Sequence, residues 1–289
     1  MRDYRFRILN VFAESTFGGN PLCVFEGARG LSDAEMLALA RQFNLSETTF
    51  ILPSERADAR VRIFTPGYEM RFAGHPTLGT AAVVGQLRGA GPQVTLEFTA
   101  AVVPVACTED VWTFEAPVPG EPALRPTAES PATIAALFGL VEQDLAAPPC
   151  WVDTGADQLL IPLRSRDALE RAAPDSSRLA DWPLCSLGSR CGYLFSLGEE
   201  RDGRLEAHAR FFFTTHGSAI AEDPGTGSAC ANLGGWLLGN GHPASRLRVQ
   251  QGAQVGRPCT LLLDIQPPRG IRVGGRVLEL GRGSVRLPA

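Results

Sequence analysis

Apolar and polar positions alternate through most of the chain, which predicts a protein built mainly of strands. Residues 5 to 12 and 22 to 26 alternate around a Gly18-Gly19-Asn20-Pro21 turn. Residues 48 to 52 and 59 to 65 read as further strands, and strands fill roughly 93 to 115. Helical spacing is rarer. Ser32 is a good N-cap and Glu35 completes a capping box. Met36, Leu37, Leu39, Ala40 and Phe43 follow at helical spacing, and Asn44 ends that helix. Two helices rich in small residues are expected at about His75 to Leu87 and about 226 to 239. Between them a Pro-rich stretch (Pro117, Pro119, Pro122, Pro126) reads as a linker. Strands near 151 to 163, 191 to 197 and 204 to 213 follow it, and short strands separated by glycines finish the chain. The expectation is an α+β protein with domains at 1–117 and 118–289. The last strand, 277–289, is a candidate to return to the first domain.

The two small-residue helices open alike, AGHPTLGTAA from Ala73 and AEDPGTGSAC from Ala221, an offset of 148 residues. In that register Pro76 matches Pro224, Gly79 matches Gly227, Thr80 faces Ser228 and His75 faces Asp223. Each copy then reads as strand, short loop and Pro-initiated helix, which points to an internal duplication. Helix starts leave N–H groups unsatisfied and carry partial positive charge, so they suit anions. Glycine lets a ligand approach that backbone. Two such starts facing one another would grip a small carboxylate, lined by Gly74, Gly225, Thr226, Gly227 and Ser228. Each start also has a bland reading as tight packing of helix on sheet. Asp223, just before a proline, is an ordinary N-cap candidate too.

Composition narrows the chemistry. All 27 basic residues among the 289 are arginine, so mechanisms that need a lysine amine are excluded. The net charge of −4 and the scattered arginines give no stripe for nucleic acid. Seven widely spaced cysteines without C-x-x-C argue against a disulfide framework or a zinc site. The four histidines (His75, His208, His216, His242) have no metal-ligand spacing, so no metal is expected. No apolar stretch approaches the ~20 residues of a membrane span. The N-terminus leads directly into a strand pattern, which reads as a cytoplasmic protein with no membrane partner. Gly225-Thr226-Gly227 is a poor dinucleotide fingerprint, because Cys230 stands where the third glycine belongs. Gly241-His242-Pro243 follows a helix and reads as its C-terminal turn.

The motifs Asn10-Val11-Phe12 with Gly19-Asn20-Pro21, LSETTF around Glu47, GHPTLGTA from Gly74 and EDPGTGSA from Glu222 resemble the PhzF family of phenazine-biosynthesis-type proteins. They keep their order across residues 10 to 230. The resemblance implies the diaminopimelate epimerase-like fold: two pseudo-symmetric domains, each a curled, mostly antiparallel sheet around a central helix, with the active site in the cleft between them. It further implies a homodimer and a proton-shifting isomerase without metal or organic cofactor, acting on a small carboxylate such as trans-2,3-dihydro-3-hydroxyanthranilate. Carried over by motif, Glu47 is the acid/base, and His75, Asp223 and Ser228 belong to the same site. Epimerases of the wider fold carry a cysteine at each helix start, where this chain has Ala73 and Pro224. A two-thiol racemase is thereby disfavoured, and a non-catalytic binding protein on the same fold stays open.

Overall fold

A computed structural model describes the chain apart from residues 90, 100, 117, 119, 121, 187, 216–218 and 289. Two compact units emerge: Met1–Glu115 with Gly274–Ala289, and Ala116–Val273. The first contains β1 (Arg2–Val11), β2 (Asn20–Phe25), α1 (Asp33–Phe43), β3 (Glu47–Leu52), β4 (Ala59–Phe64), β5 (Glu69–Met70), α2 (Gly74–Arg88), β6 (Gln93–Glu97), β7 (Val102–Thr108) and β8 (Val111–Glu115). The second contains β9 (Leu124–Pro126), α3 (Pro131–Leu137), β10 (Cys150–Asp153), β11 (Asp157–Leu163), α4 (Arg166–Arg171), β12 (Cys191–Arg201), β13 (Arg204–Thr215), β14 (Ala219–Asp223), α5 (Gly227–Gly239), β15 (Ser245–Gln251) and β16 (Cys259–Gln266). The final strand, β17 (Gly270–Leu287), begins in the second unit and ends in the first.

The same pairing plan occurs twice. In the first unit β1–β2 is antiparallel, β2–β3 parallel, β3–β4 and β4–β5 antiparallel, β4–β6 parallel and β6–β7 antiparallel. In the second, β10–β11, β11–β12, β12–β13, β13–β14, β13–β15 and β15–β16 repeat that sequence of orientations. A short helix fills the parallel crossover in each case, α1 in one and α4 in the other. A longer helix, α2 or α5, follows the short fifth strand.

Those longer helices form the cores. Every residue of α2 from Gly74 to Gly85 is buried, so it needs no polar face. Small residues let strands close around it: a Cβ on Gly79 would stand 2.5 Å from a Leu22 methyl and 3.0 Å from Val11. In α5, Gly234 meets Ile271, Leu263 and Ile265, while Gly235 meets Val152 and Thr154. On the outer side of the first unit, α1 covers an aromatic cluster in which Phe25 stacks on Phe50 at 4.9 Å and Phe64 meets Phe50 edge-on. The Ser32/Glu35 capping box is present, and Asn44 closes the helix in the left-handed conformation.

Several expectations need correction. The helix starts do not follow the 148-residue register. α2 opens at Gly74 and α5 at Gly227, so His75 is matched by Ser228 rather than by Asp223. Pro76 lies inside the first turn of α2, whereas Pro224 precedes α5 altogether. The α5 N-cap is Thr226, not Asp223. Of the Pro-rich linker, Pro117 and Pro119 lie outside the described residues, and Pro126 belongs to β9, which pairs with β10. The glycines near the C-terminus do not separate short strands: β17 runs through Gly274, Gly275, Gly281 and Gly283. They mark close approaches instead. A Cβ on Gly274 would stand 2.4 Å from the Thr113 hydroxyl, and one on Gly283 would stand 2.6 Å from the Phe6 ring.

Candidate active site

The first half-site grows from the starts of β3 and α2. Asn44 turns the chain out of α1, and three residues later Glu47 opens β3 in parallel register with Leu22. His75 is the second residue of α2 and 5% exposed. Its Nε2 lies 3.3 Å from Glu47 Oε2, and the glutamate side chain is 15% exposed. Burial pushes the imidazole pKa down to about 3, partly offset by a hydrogen bond to the Pro21 carbonyl. Nε2 itself makes no hydrogen bond. His75 is therefore a neutral ring, with Nε2 close to a carboxyl oxygen. The contact is no ion pair at neutral pH.

The second half-site lies around the start of α5. Asp223 ends β14, opposite Phe211 of β13. Thr226 donates its hydroxyl to Asp223 Oδ2 at 2.5 Å. Ser228 accepts a hydrogen bond from Gln158 Nε2 at 3.1 Å. Gln158 is fixed in turn by Asn232, whose Nδ2 donates to its side-chain oxygen and whose Oδ1 accepts from both N–H and hydroxyl of Thr154. Gly225, Thr226 and Gly227 are buried.

The two half-sites differ in a way the duplication makes visible. β3 opens with a glutamate, but β12, its counterpart, opens Cys191-Gly192-Tyr193, with no carboxyl at its start. Met70 ends β5 where Asp223 ends β14. Sequence reading missed Gln158, Asn232 and Gln251, all buried polar residues. Their only signal was an amide side chain amid apolar strand or helix positions. Gly241-His242-Pro243 is the C-terminal turn of α5, with the His242 N–H donated to the Leu237 carbonyl and Gly241 at φ 74°. His216 lies outside the described residues. Among the described residues no His, Cys, Asp and Glu side chains cluster so as to hold a metal, and no helix is long and apolar enough to cross a membrane.

Thiols are poorly placed for chemistry. Cys107 is half-buried, the other six cysteines are buried, and none is in a disulfide. Burial pushes the Cys150 thiol up to about 11, the Cys191 thiol up to about 12, and those of Cys23 and Cys230 higher still. Iodoacetamide at neutral pH is expected to leave turnover unchanged and to label Cys107 first, as read by intact mass. Rapid inactivation blocked by substrate would refute this.

A doubled α+β unit in which strands close around small-residue helices marks an isomerase of the epimerase-like fold. The chain belongs to the PhzC-PhzF family, described as phenazine biosynthesis-like protein, whose model matches residues 9–280. It is 37% identical over 291 residues to a Pasteurella multocida protein named as an uncharacterized isomerase, covering 100% of this chain and 96% of that one. It is 33% identical over 264 residues to the trans-2,3-dihydro-3-hydroxyanthranilate isomerase of Pseudomonas aeruginosa, covering 89% of each. Its fold is that of a Bacillus anthracis PhzF-family crystal structure, with TM-score 0.84, 24% identity, and 99% and 100% of the two chains covered.

Proposed function

We propose that this isomerase moves a proton between two carbons on one face of a small cyclic carboxylate bearing an amino or hydroxyl group, and that Glu47 is both base and acid. The reference substrate is trans-2,3-dihydro-3-hydroxyanthranilate, the compound named in a relative 33% identical. The observation that carries the reading is the Glu47–His75 contact. In this reading the imidazole proton is on Nδ1, so that while Glu47 is a carboxylate two lone pairs oppose one another across the 3.3 Å contact. Once Glu47 has taken a proton from carbon, its O–H can point at Nε2, and repulsion becomes a hydrogen bond. The electrons left on carbon pass into the adjoining π system, and the carboxylic acid returns its proton at the second carbon.

The absence of a carboxyl from the start of β12 favours one acid/base group over the two that an epimerase needs. In this reading the start of α5 binds the ligand's polar groups, its first backbone N–H groups near Gly227 taking the carboxylate while Asp223 and Ser228 take the polar substituents.

Incubating the compound with the protein in D2O tests this. The expected result is conversion to the isomer, with solvent deuterium only at the carbon that gains a proton, read by NMR and mass. No conversion, or deuterium washing into the starting carbon with inversion, would overturn it.

A further inference from the structure

The loop from Asp223 to Thr226 is tied by one buried amide. Gln251 ends β15 and is 3% exposed. Its Nε2 donates to the Asp223 backbone carbonyl at 2.8 Å and to Thr226 Oγ1 at 3.0 Å, and its Oε1 accepts the Thr226 N–H at 3.3 Å. An amide nitrogen only donates, so the Thr226 oxygen is the acceptor of that bond and its single proton is sent to Asp223 Oδ2, 2.5 Å away. The direction of every bond in the chain is therefore determined. Gly252 makes the approach possible: its φ is 81°, and a Cβ there would stand 2.4 Å from the Pro224 carbonyl oxygen.

Among the described residues the start of α2 lacks the equivalent tie. Ala73 caps α2 without a side-chain hydrogen bond, and β5 ends in Met70. A network required by the duplicated fold would be present in both halves. Among the described residues this one is found at the start of α5, where it reaches the Asp223 carboxylate.

We propose that Gln251 is a positioning residue which, through the Thr226 hydroxyl, holds the Asp223 carboxylate as an oriented hydrogen-bond acceptor for an amino or hydroxyl group of the substrate. The inference rests on the reading above, in which Asp223 meets the substrate. It assigns Thr226 to the support of Asp223, since both its hydroxyl and its N–H are committed within the loop.

The test compares Gln251→Glu, which keeps the length but loses the donors, with Thr226→Val, Thr226→Ser and the double variant Gln251→Glu/Thr226→Val. With trans-2,3-dihydro-3-hydroxyanthranilate, each of the first two is expected to lower kcat about 10- to 100-fold, the range of a charge-assisted hydrogen bond, with little change in KM. Thr226→Ser should recover at least about tenfold of the loss seen in Thr226→Val, because it restores the hydroxyl. The double variant should fall no further than the worse single one. Additive losses, a change confined to KM, or no recovery with serine would overturn the proposal.

Failure of the unmodified protein to convert this compound counts against the proposed function instead. The network is then judged from a crystal structure of Gln251→Glu. A Thr226 hydroxyl turned from Asp223 toward the new carboxylate supports it, and an unmoved Thr226 side chain overturns it.

Discussion

Glu47→Gln is expected to lose about 10²–10⁴-fold in turnover, the usual contribution of a general acid–base group, while still binding ligand. Glutamine has the length of glutamate, and its amide can donate to His75 Nε2 across the same 3.3 Å contact, so the half-site should keep its shape. What it lacks is the ability to accept a proton from carbon and give it back. Calorimetry with the substrate at a temperature where turnover has stopped should therefore report near-normal affinity, while product formation is almost absent. Near-normal turnover would remove Glu47 from the acid/base role and direct attention to Asp223. His75 is a poorer substitute, since burial holds it neutral down to about pH 3.

Arg210→Met should give the largest loss of stability, about 3–5 kcal/mol, because it leaves a buried carboxylate without its partner. Arg210 on β13 holds Glu222 of β14 through two hydrogen bonds, of 3.0 and 2.7 Å, and both side chains are 9% exposed. The same guanidinium closes the end of α4, donating to the carbonyls of Leu169 and Ala172, and it lies 4.7 Å over the Phe212 ring. Denaturant unfolding of the single variant and of Arg210→Met/Glu222→Leu provides the check. The double change should recover most of the loss, since it removes the stranded charge. A single-variant loss under about 1 kcal/mol would show that the pair is solvated in solution and does not anchor β14.

The strands, the capping box at Ser32 and the two small-residue helices were legible because each rests on a local signal, either alternation or a cap. α3 and α4 were not, being short and fixed by tertiary packing of residues such as Ile134, Leu137 and Leu169. The duplication was visible but its register was misread. Proline and glycine recur at both helix starts for different reasons: Pro76 sits in a helical turn, whereas Pro224 sits in the loop that Gln251 ties down. Glu47 and His75 stand in two short separate motifs, and the fold brings their side chains to 3.3 Å. The support beneath Asp223 and Ser228 was not legible, because Gln158 and Gln251 stand far from those residues in sequence and meet them only through strand pairing.

The passage of β17 into the first unit has a consequence for synthesis. β1 pairs with β2 along one edge and with β17 along the other, and Arg7 is buried between Glu26, which follows β2, and Glu279 of β17. A ribosome thus emits β1 well before its neighbour β17, with the second unit made in between. Until β17 arrives β1 offers an open edge and Arg7 lacks one of its two counter-charges, so of the two units the one begun earlier is completed later.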